Sequence, residues 1–401
     1  MDEAFLTEAF HRLRKNAAAG IDQVTAGEYA EALEENIKDL YQRLVSKRYR
    51  AQPARRAYAP KDDGTLRPLA ILVLEDKIVQ GAVTMLLEAV YEPMFYNFSY
   101  GFRRERSPHQ ALKALRDQCL RLGIRWIVDA DVKGYFDSIN HGLLREILQR
   151  RVNDGTLIRL IGKWLHVGVL EAEGQILRSS IGAPQGAVIS PMLSNIFLHT
   201  VLDDWFEQTV RPLMKGRCFL IRFADDFVLG FEYEDDAKRV FEVLPKRFAR
   251  FGLTIHPEKS CLVDFSCPRS WESKGKGTFE FLGFTHYWSH TRRGRWTIKR
   301  KTRPKRLRRT LRALWTWCRE NRHLPMSEQH QKLCQKLQGH YQYFAVRGNY
   351  KMLEVVFEGA EHAWRYWLNQ RSSKKSVSWN VFDTKIRRVF PLPKPRIIHA
   401  F

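Results

Sequence analysis

Apolar side chains recur at helical spacing over residues 28–48, EYAEALEENIKDLYQRLVSKR, with acids early and bases late as the helix dipole favours, and this predicts a helix. The stretch PARRAYAPKDDGTLRPLAILVLEDKIVQ predicts a strand, a turn at KDDG, a second strand and a helix start. Residues 126–132, WIVDADV, form an apolar run broken by Asp129 and Asp131, which share a strand face because they are two apart. HGLLREILQRRV reads as helical, and APQGAVISPMLSNIFLHTVLDDWFEQ as a turn entering a long amphipathic helix capped by Ser190 with Pro191 behind it. RCFLIRFADDFVLGF predicts two short strands joined at Asp225 and Asp226, DDAKRVFEVLPKRFARFG a helix ended by Gly252, and FEFLGFTHYW a hairpin.

The paired aspartates are the anomaly in this pattern. Consecutive strand residues face opposite ways, so an ordinary buried strand would desolvate at least one carboxylate, at a cost of several kcal/mol unless it is compensated. Composition sharpens the anomaly: 67 Lys and Arg stand against 44 Asp and Glu, a formal net charge of +23 over 401 residues. Such a balance suits a polyanion, and no apolar stretch approaches the ~18 residues of a membrane span, so nucleic acid is expected as partner and a membrane is not. The opening MDEAFLTEAF is acidic, unlike a secretory leader, which gives a cytoplasmic expectation. Six scattered cysteines without a CxxC pair read as reduced thiols, and the spacing of Cys261, Cys267, His286 and His290 suits core thiols and ordinary histidines better than zinc.

Near residue 290 the composition changes. From 281 to 319 there is no acidic residue, while arginines and lysines accumulate, and Leu307, Leu311, Leu314 and Cys318 form one helical stripe among them. A domain boundary is therefore expected near residue 290. Asp131 and the Asp225–Asp226 pair lie at probable strand ends, where a sheet could gather three carboxylates around divalent cations.

The sequence around these aspartates resembles the reverse transcriptases encoded by group II introns, of a bacterial type lacking an endonuclease domain. RFADDFVLGF is similar to the central motif of that family, with Phe223 in the usual tyrosine place; DADVKGYFDSINH and GAPQGAVISPMLSNIFLH resemble its first catalytic and nucleotide-proximal motifs. Further blocks, RRAYAPKDDGTLRPLAILVLEDKIVQ, YEPMFYNFSYGFRRERSPHQAL, GLTIHPEKS and FEFLGFTH, follow in the family's order. AAAGIDQVT resembles the extra fingers segment, and GHYQYFAV with WNVFDTKIRRVFPLPKPRIIHAF the maturase thumb.

The resemblance implies an α+β right-hand polymerase: fingers with an N-terminal extension and the start of the palm over 1–125, a palm with an antiparallel sheet over 126–289, and a helical thumb or maturase domain over 290–401. It implies two magnesium ions, with manganese as substitute, held by Asp131, Asp225, Asp226 and the Val132 carbonyl. Lys61, Arg67, Phe136, Gln185 and Lys259 would meet the incoming nucleotide, Phe136 by closing against the sugar 2′ position and Lys259 as a general acid. Phe281, Leu282, Gly283 and Phe284 would grip the primer, and Arg303, Lys305, Arg308 and Arg309 would contact nucleic acid. The implied function is RNA-directed DNA polymerisation from deoxynucleotides on an RNA template and DNA primer, with group II intron RNA as a further partner in splicing and mobility, in a bacterial or archaeal cytoplasm. A stand-alone or CRISPR- or defence-associated enzyme, and an RNA-binding maturase acting mainly in splicing, are the alternatives. Ala70 and Leu72 in RPLAIL, and Arg104 and Glu105 in FRRERS, depart from the family's common residues.

Overall fold

The computed structural model describes residues 1–60, 66–170, 176–177, 181–183, 185–268, 275–291, 293–371 and 377–401. Two compact units emerge: residues 1–115 with 126–262, and residues 116–125 with 263–401. The change of unit thus falls between Leu262 and Val263, ahead of the change in composition near 290.

The first unit contains strands β1 (Ala54–Pro60), β2 (Leu66–Ile71), β3 (Trp126–Ala130), β4 (Val169–Leu170), β5 (Ile176–Leu177), β6 (Cys218–Phe223) and β7 (Asp226–Phe231). Strand β8 (Cys261–Asp264) spans the boundary, and the second unit holds β9 (Phe279–Phe281), β10 (Phe284–His290) and β11 (Trp296–Thr302). One sheet has the order β2-β1-β4-β5, with β1 and β2 antiparallel as the sequence predicts. In another, β7 pairs antiparallel with β6 on one side and with β3 on the other, so the strand that begins at Asp226 is central. Its residues Phe227 to Phe231 are buried, as a strand covered on both faces requires.

Around the sheets, the helix Gly155–His166 starts at Asp154, whose side chain accepts from the Thr156 and Leu157 amides, and Glu234–Ala249 carries three acids in its first turn and Lys246 and Arg247 in its last. The helix expected over 28–48 is two, Ala26–Glu31 and Leu33–Val45, parted at Ala32. Thr25 and Glu28 form a capping box that starts the first of them. The helix expected to be amphipathic from Ser190 is instead buried almost all round over Ser190–Leu198, because it lies within the core rather than on it. Its N-cap is Ile189, without a side-chain bond, so Ser190 is the first helical residue and not the cap. The helix then widens into a π-turn over His199–Asp203.

The second unit packs the helices Pro304–Glu320, Met326–Phe344 and Tyr350–Asn369 around buried Leu314, Cys318, Leu333, Leu337, Val356 and Trp364. Within the predicted stripe, Leu314 and Cys318 are buried and Leu307 and Leu311 partly so. None of the six cysteines is in a disulfide, but Cys261 and Cys267 are exposed, so the expectation of core thiols fails for those two. Among the described residues, no helix is long and apolar enough to cross a membrane.

One ion pair sits wholly inside the first unit. Arg222, at 0% exposure, donates to Asp203, also at 0%, through Nε at 2.8 Å and Nη2 at 2.6 Å. Burial alone would raise the Asp203 carboxyl, but the Arg222 charge and bonds, with His199, bring it net below its ordinary value of 3.8. The pair's stabilisation is therefore present above that value and fades as pH falls through the lower folded one. Asp203→Ala, which strands a buried guanidinium, is expected to lower the unfolding free energy by about 3–5 kcal/mol, while Arg222→Met combined with Asp203→Leu should recover most of it. Urea melts followed by circular dichroism check both, and an Asp203→Ala protein as stable as the wild type would contradict the assignment.

Candidate active site

The two aspartates lie at the tip of the β6–β7 hairpin, where Phe223 pairs with Asp226 and Ala224 and Asp225 make the connection. Ala224 has φ +57°, a left-handed conformation that an L side chain seldom adopts. The turn separates the aspartates: Asp225 is half-buried and Asp226 exposed. Burial raises the Asp225 carboxyl above its ordinary range, and Asp131 raises it further, while Arg67 and Arg222 act in the opposite sense. Asp131 follows directly on β3, and β3 is the antiparallel neighbour of β7. The sheet thus carries these two carboxylates into each other's field.

Asp131 is tied on two sides. Its amide donates to Ser260 Oγ at 3.1 Å, and its carbonyl accepts from the His256 amide at 2.8 Å. A bridge pairs Val132 with Ile255, and its bonds run through the neighbours, Lys133 to Thr254 and His256 to Asp131. In an antiparallel bridge of that kind the Val132 carbonyl is turned away from residue 255, to the other side. Lys259 brings Nζ to 3.5 Å from Asp131 Oδ2, with both side chains well exposed, so this pair contributes little to stability.

The segment around Gln185 is fixed by the backbone. Ala183 donates to the Phe136 carbonyl at 2.7 Å, and the Gln185 carbonyl accepts from Ala70 at 2.7 Å, which binds the segment to β2. Gly186, at φ +100°, would place a Cβ 3.0 Å from the Ala70 carbonyl, so a side chain there would push the segment off the strand. The Gln185 amide group donates to both oxygens of Asp137, at 3.2 and 3.3 Å. Phe136 is partly buried, packs against the main core and meets Tyr135 edge-on at 5.4 Å between ring centroids.

The first unit therefore brings Asp131, Val132, Phe136, Gln185, Asp225 and Lys259 onto elements tied to the β3–β7 pair, with Arg67 near enough to act on Asp225. The three aspartates are not gathered: among the described residues, no group of three or more His, Cys, Asp or Glu side chains stands ready to hold a metal. The physical reason is the turn itself, which sends Asp226 outward while Asp225 faces Asp131. Lys61 lies outside the described residues.

Phe281, Leu282, Gly283 and Phe284 belong to the second unit. Leu282 at φ +50° and Gly283 at φ +79° form a tight hairpin turn between β9 and β10. Phe281 and Phe284 are buried beneath it, the latter against Tyr343 and Phe344, and Tyr343 donates to the Leu282 carbonyl at 3.0 Å. Of the basic residues, Lys305 and Arg308 are exposed on the helix Pro304–Glu320, whereas Arg303 is held by Glu280 at 2.5 Å.

Sequence reasoning missed Arg222, Asp203, Asn195 and Asp137. Arg222 had a signal: a lone cation in the apolar run FLIRF must find a buried counter-charge. Nothing local to the sequence singles out Asp203 among the chain's acids.

Comparison with known proteins agrees with this geometry. The family model described as reverse transcriptase (RNA-dependent DNA polymerase) matches residues 59–286, which include every strand from β2 to β9 and all three aspartates. Protein YkfC of Escherichia coli is 40% identical over 240 residues, covering 52% of this chain and 62% of YkfC. The group II intron-encoded protein LtrA of Lactococcus lactis is 40% identical over 195 residues, covering 48% of this chain and 32% of LtrA. The chain thus spans less than two thirds of the length of either relative. Among solved structures, telomerase from Candida albicans in complex with a fragment of telomeric RNA has a TM-score of 0.48 and 13% identity over 86% of this chain and 64% of its own. With more than half of its residues inside the family model, the chain belongs to the reverse transcriptase (RNA-dependent DNA polymerase) family.

Proposed function

We propose that this protein is an RNA-directed DNA polymerase of the group II intron type, extending a DNA primer on an RNA template with deoxynucleotides. The observation that carries this reading is the convergence of Asp131 and Asp225 at the end of the β3–β7 pair, inside the region that matches the family. Two carboxylates close enough that the charge of Asp131 helps to raise the Asp225 carboxyl form a hard-oxygen site suited to a divalent cation. The residues that would hold magnesium are Asp131 and Asp225 with the Val132 carbonyl, and Asp226, exposed beside them, would complete the set. A pair of such ions, when bound, activates the primer hydroxyl and steadies the leaving pyrophosphate.

The chain's own residues supply the rest. Lys259, released from Asp131, swings its exposed ammonium to the phosphates and can donate a proton to the leaving group. Arg67, exposed on β2, offers a forked guanidinium to the triphosphate, and Lys61 acts beside it. Gln185, its amide oriented by Asp137, lines the nucleotide, and the ring of Phe136 closes the sugar 2′ side. In the second unit, the Leu282–Gly283 turn grips the primer backbone, while Lys305, Arg308 and Arg309, with Arg303 after release from Glu280, follow nucleic-acid phosphates. The intron-encoded relative favours group II intron RNA as a partner.

Asp225→Asn is expected to reduce magnesium-dependent primer extension by at least about 100-fold, or roughly 2.7 kcal/mol of transition-state stabilisation, without loss of template binding. Extension at the wild-type rate would sink the site assignment. Phe136→Val should shift the ratio of kcat/KM for ribo- over deoxynucleotides upward by about 1–3 kcal/mol in relative transition-state binding, with deoxynucleotide use much less affected. A well-folded variant with the wild-type ratio would make Phe136 a core residue only. Replacing Arg303, Lys305, Arg308 and Arg309 by alanine should flatten the slope of log RNA affinity against log salt by about two to four, at roughly 0.7 to 0.9 per phosphate contact. An unaltered slope would reduce this helix face to solvated charge.

A further inference from the structure

The guanidinium of Arg222 does more than neutralise Asp203. Its Nη1 donates to Asn195 Oδ1 at 3.0 Å and to the carbonyl of Ala224 at 3.0 Å. Ala224 is the left-handed residue of the hairpin turn, so the bond falls on the peptide that leads into Asp225. Asn195 is itself buried, and its amide donates to the Gly101 carbonyl at 2.7 Å. Gly101 lies flat against the turn: a Cβ there would come 2.1 Å from the Ala224 nitrogen. The segment before it runs beside β6, the Arg222 amide donating to Phe98 at 2.9 Å and the Tyr100 amide to the Arg222 carbonyl at 2.8 Å.

The partner acid owes its place to the widened helix. Asp203 closes the π-turn His199–Asp203, the first of two wide stretches in this helix, the second being Phe206–Val210, and such widening carries a cost that helices tolerate most often where a side chain has to be re-aimed for function. Here the re-aimed side chain is the carboxylate that receives Arg222.

We propose that Arg222, clamped by Asp203 and Asn195 beneath a turn that Gly101 backs, is the positioning residue that holds Ala224 in its left-handed conformation and so points Asp225 at Asp131. This rests on the reading of those two aspartates as cation ligands. The mechanism is conformational: an alanine at φ +57° is retained only when its surroundings over-determine it, and the bond to its carbonyl is the contact that does so. Glycine takes that conformation without strain, so it can replace the support that the guanidinium provides.

The test is Arg222→Lys, which keeps the buried charge against Asp203 and loses the fork, made alone and with Ala224→Gly; Asn195→Ala serves as a second route to the same weakening should Arg222→Lys not fold. Two quantities are read on each folded variant: Mn2+ affinity from the free-ion electron resonance signal, and hydrogen exchange of the turn amides relative to the interior of β7. The expected result for Arg222→Lys is Mn2+ affinity lower by about 10- to 100-fold, the usual range for lost outer support of a metal ligand, with faster exchange confined to the turn. Ala224→Gly should return a substantial part of the affinity. A folded Arg222→Lys or Asn195→Ala protein with wild-type exchange at the turn overturns the proposal. If instead the turn loosens and the wild type shows no aspartate-dependent Mn2+ binding, the positioning stands and the cation reading beneath it fails.

Discussion

The end of the central sheet depends on one buried guanidinium. A hairpin that must present a half-buried carboxylate faces two costs, desolvation of the acid and strain in the turn that displays it. Arg222 acts on both: its charge opposes the rise in the Asp225 carboxyl, and its Nη1 bonds the carbonyl of the strained residue. The ion pair with Asp203 keeps that guanidinium from being an uncompensated charge in the core. Because buried ion pairs are seldom better than a well-packed apolar substitute for stability alone, a pair in this position makes most sense as a device for specifying geometry.

The same logic explains why the site is assembled from several short ties rather than one rigid element. Asp131 is fixed by Ser260 and His256, Gln185 by β2 and Asp137, and Asp225 by the Arg222 turn. Each tie comes from a different stretch of chain, so the polymerase chemistry proposed for this protein needs the whole first unit folded. Lys259, paired with Asp131, and Arg67 are by contrast exposed, and it is these that the proposed function turns toward a triphosphate. A backbone-fixed acidic end with exposed basic groups around it suits the nucleotide binding and pyrophosphate release proposed here.

How much of this was legible in the sequence varied with the range of the signal. The hairpin around Asp225 and Asp226, the strand before Asp131 and the paired strands β1 and β2 follow from alternation and turn residues that lie within a few positions. The helix start at Ala26 was written in the Thr25–Glu28 capping box, whereas the split at Ala32, where no side chain caps the second helix, was not. The outward placement of Asp226 was not legible, because it depends on the sign of φ at Ala224, an alanine that gives no sequence hint of a left-handed turn. Nor was the Arg222–Asp203 pair, since a π-turn 19 residues upstream sets which acid meets the arginine. The burial of Ser190–Leu198 was hidden for a related reason: its sequence is compatible with an amphipathic helix until the surrounding strands and helices cover its other side.

The central claim is that Asp225 and Asp131 form one cation site. Calorimetric titration with Mn2+ in two buffers of different ionisation enthalpy, at pH values descending from neutral, measures this directly, because the raised Asp225 carboxyl holds a proton to higher pH than an ordinary carboxyl and gives it up when the ion binds. The account predicts proton release that grows and affinity that weakens as pH falls in the wild type, both abolished in Asp225→Asn. An Asp225→Asn protein that binds Mn2+ with the wild-type affinity and the same proton release would contradict it.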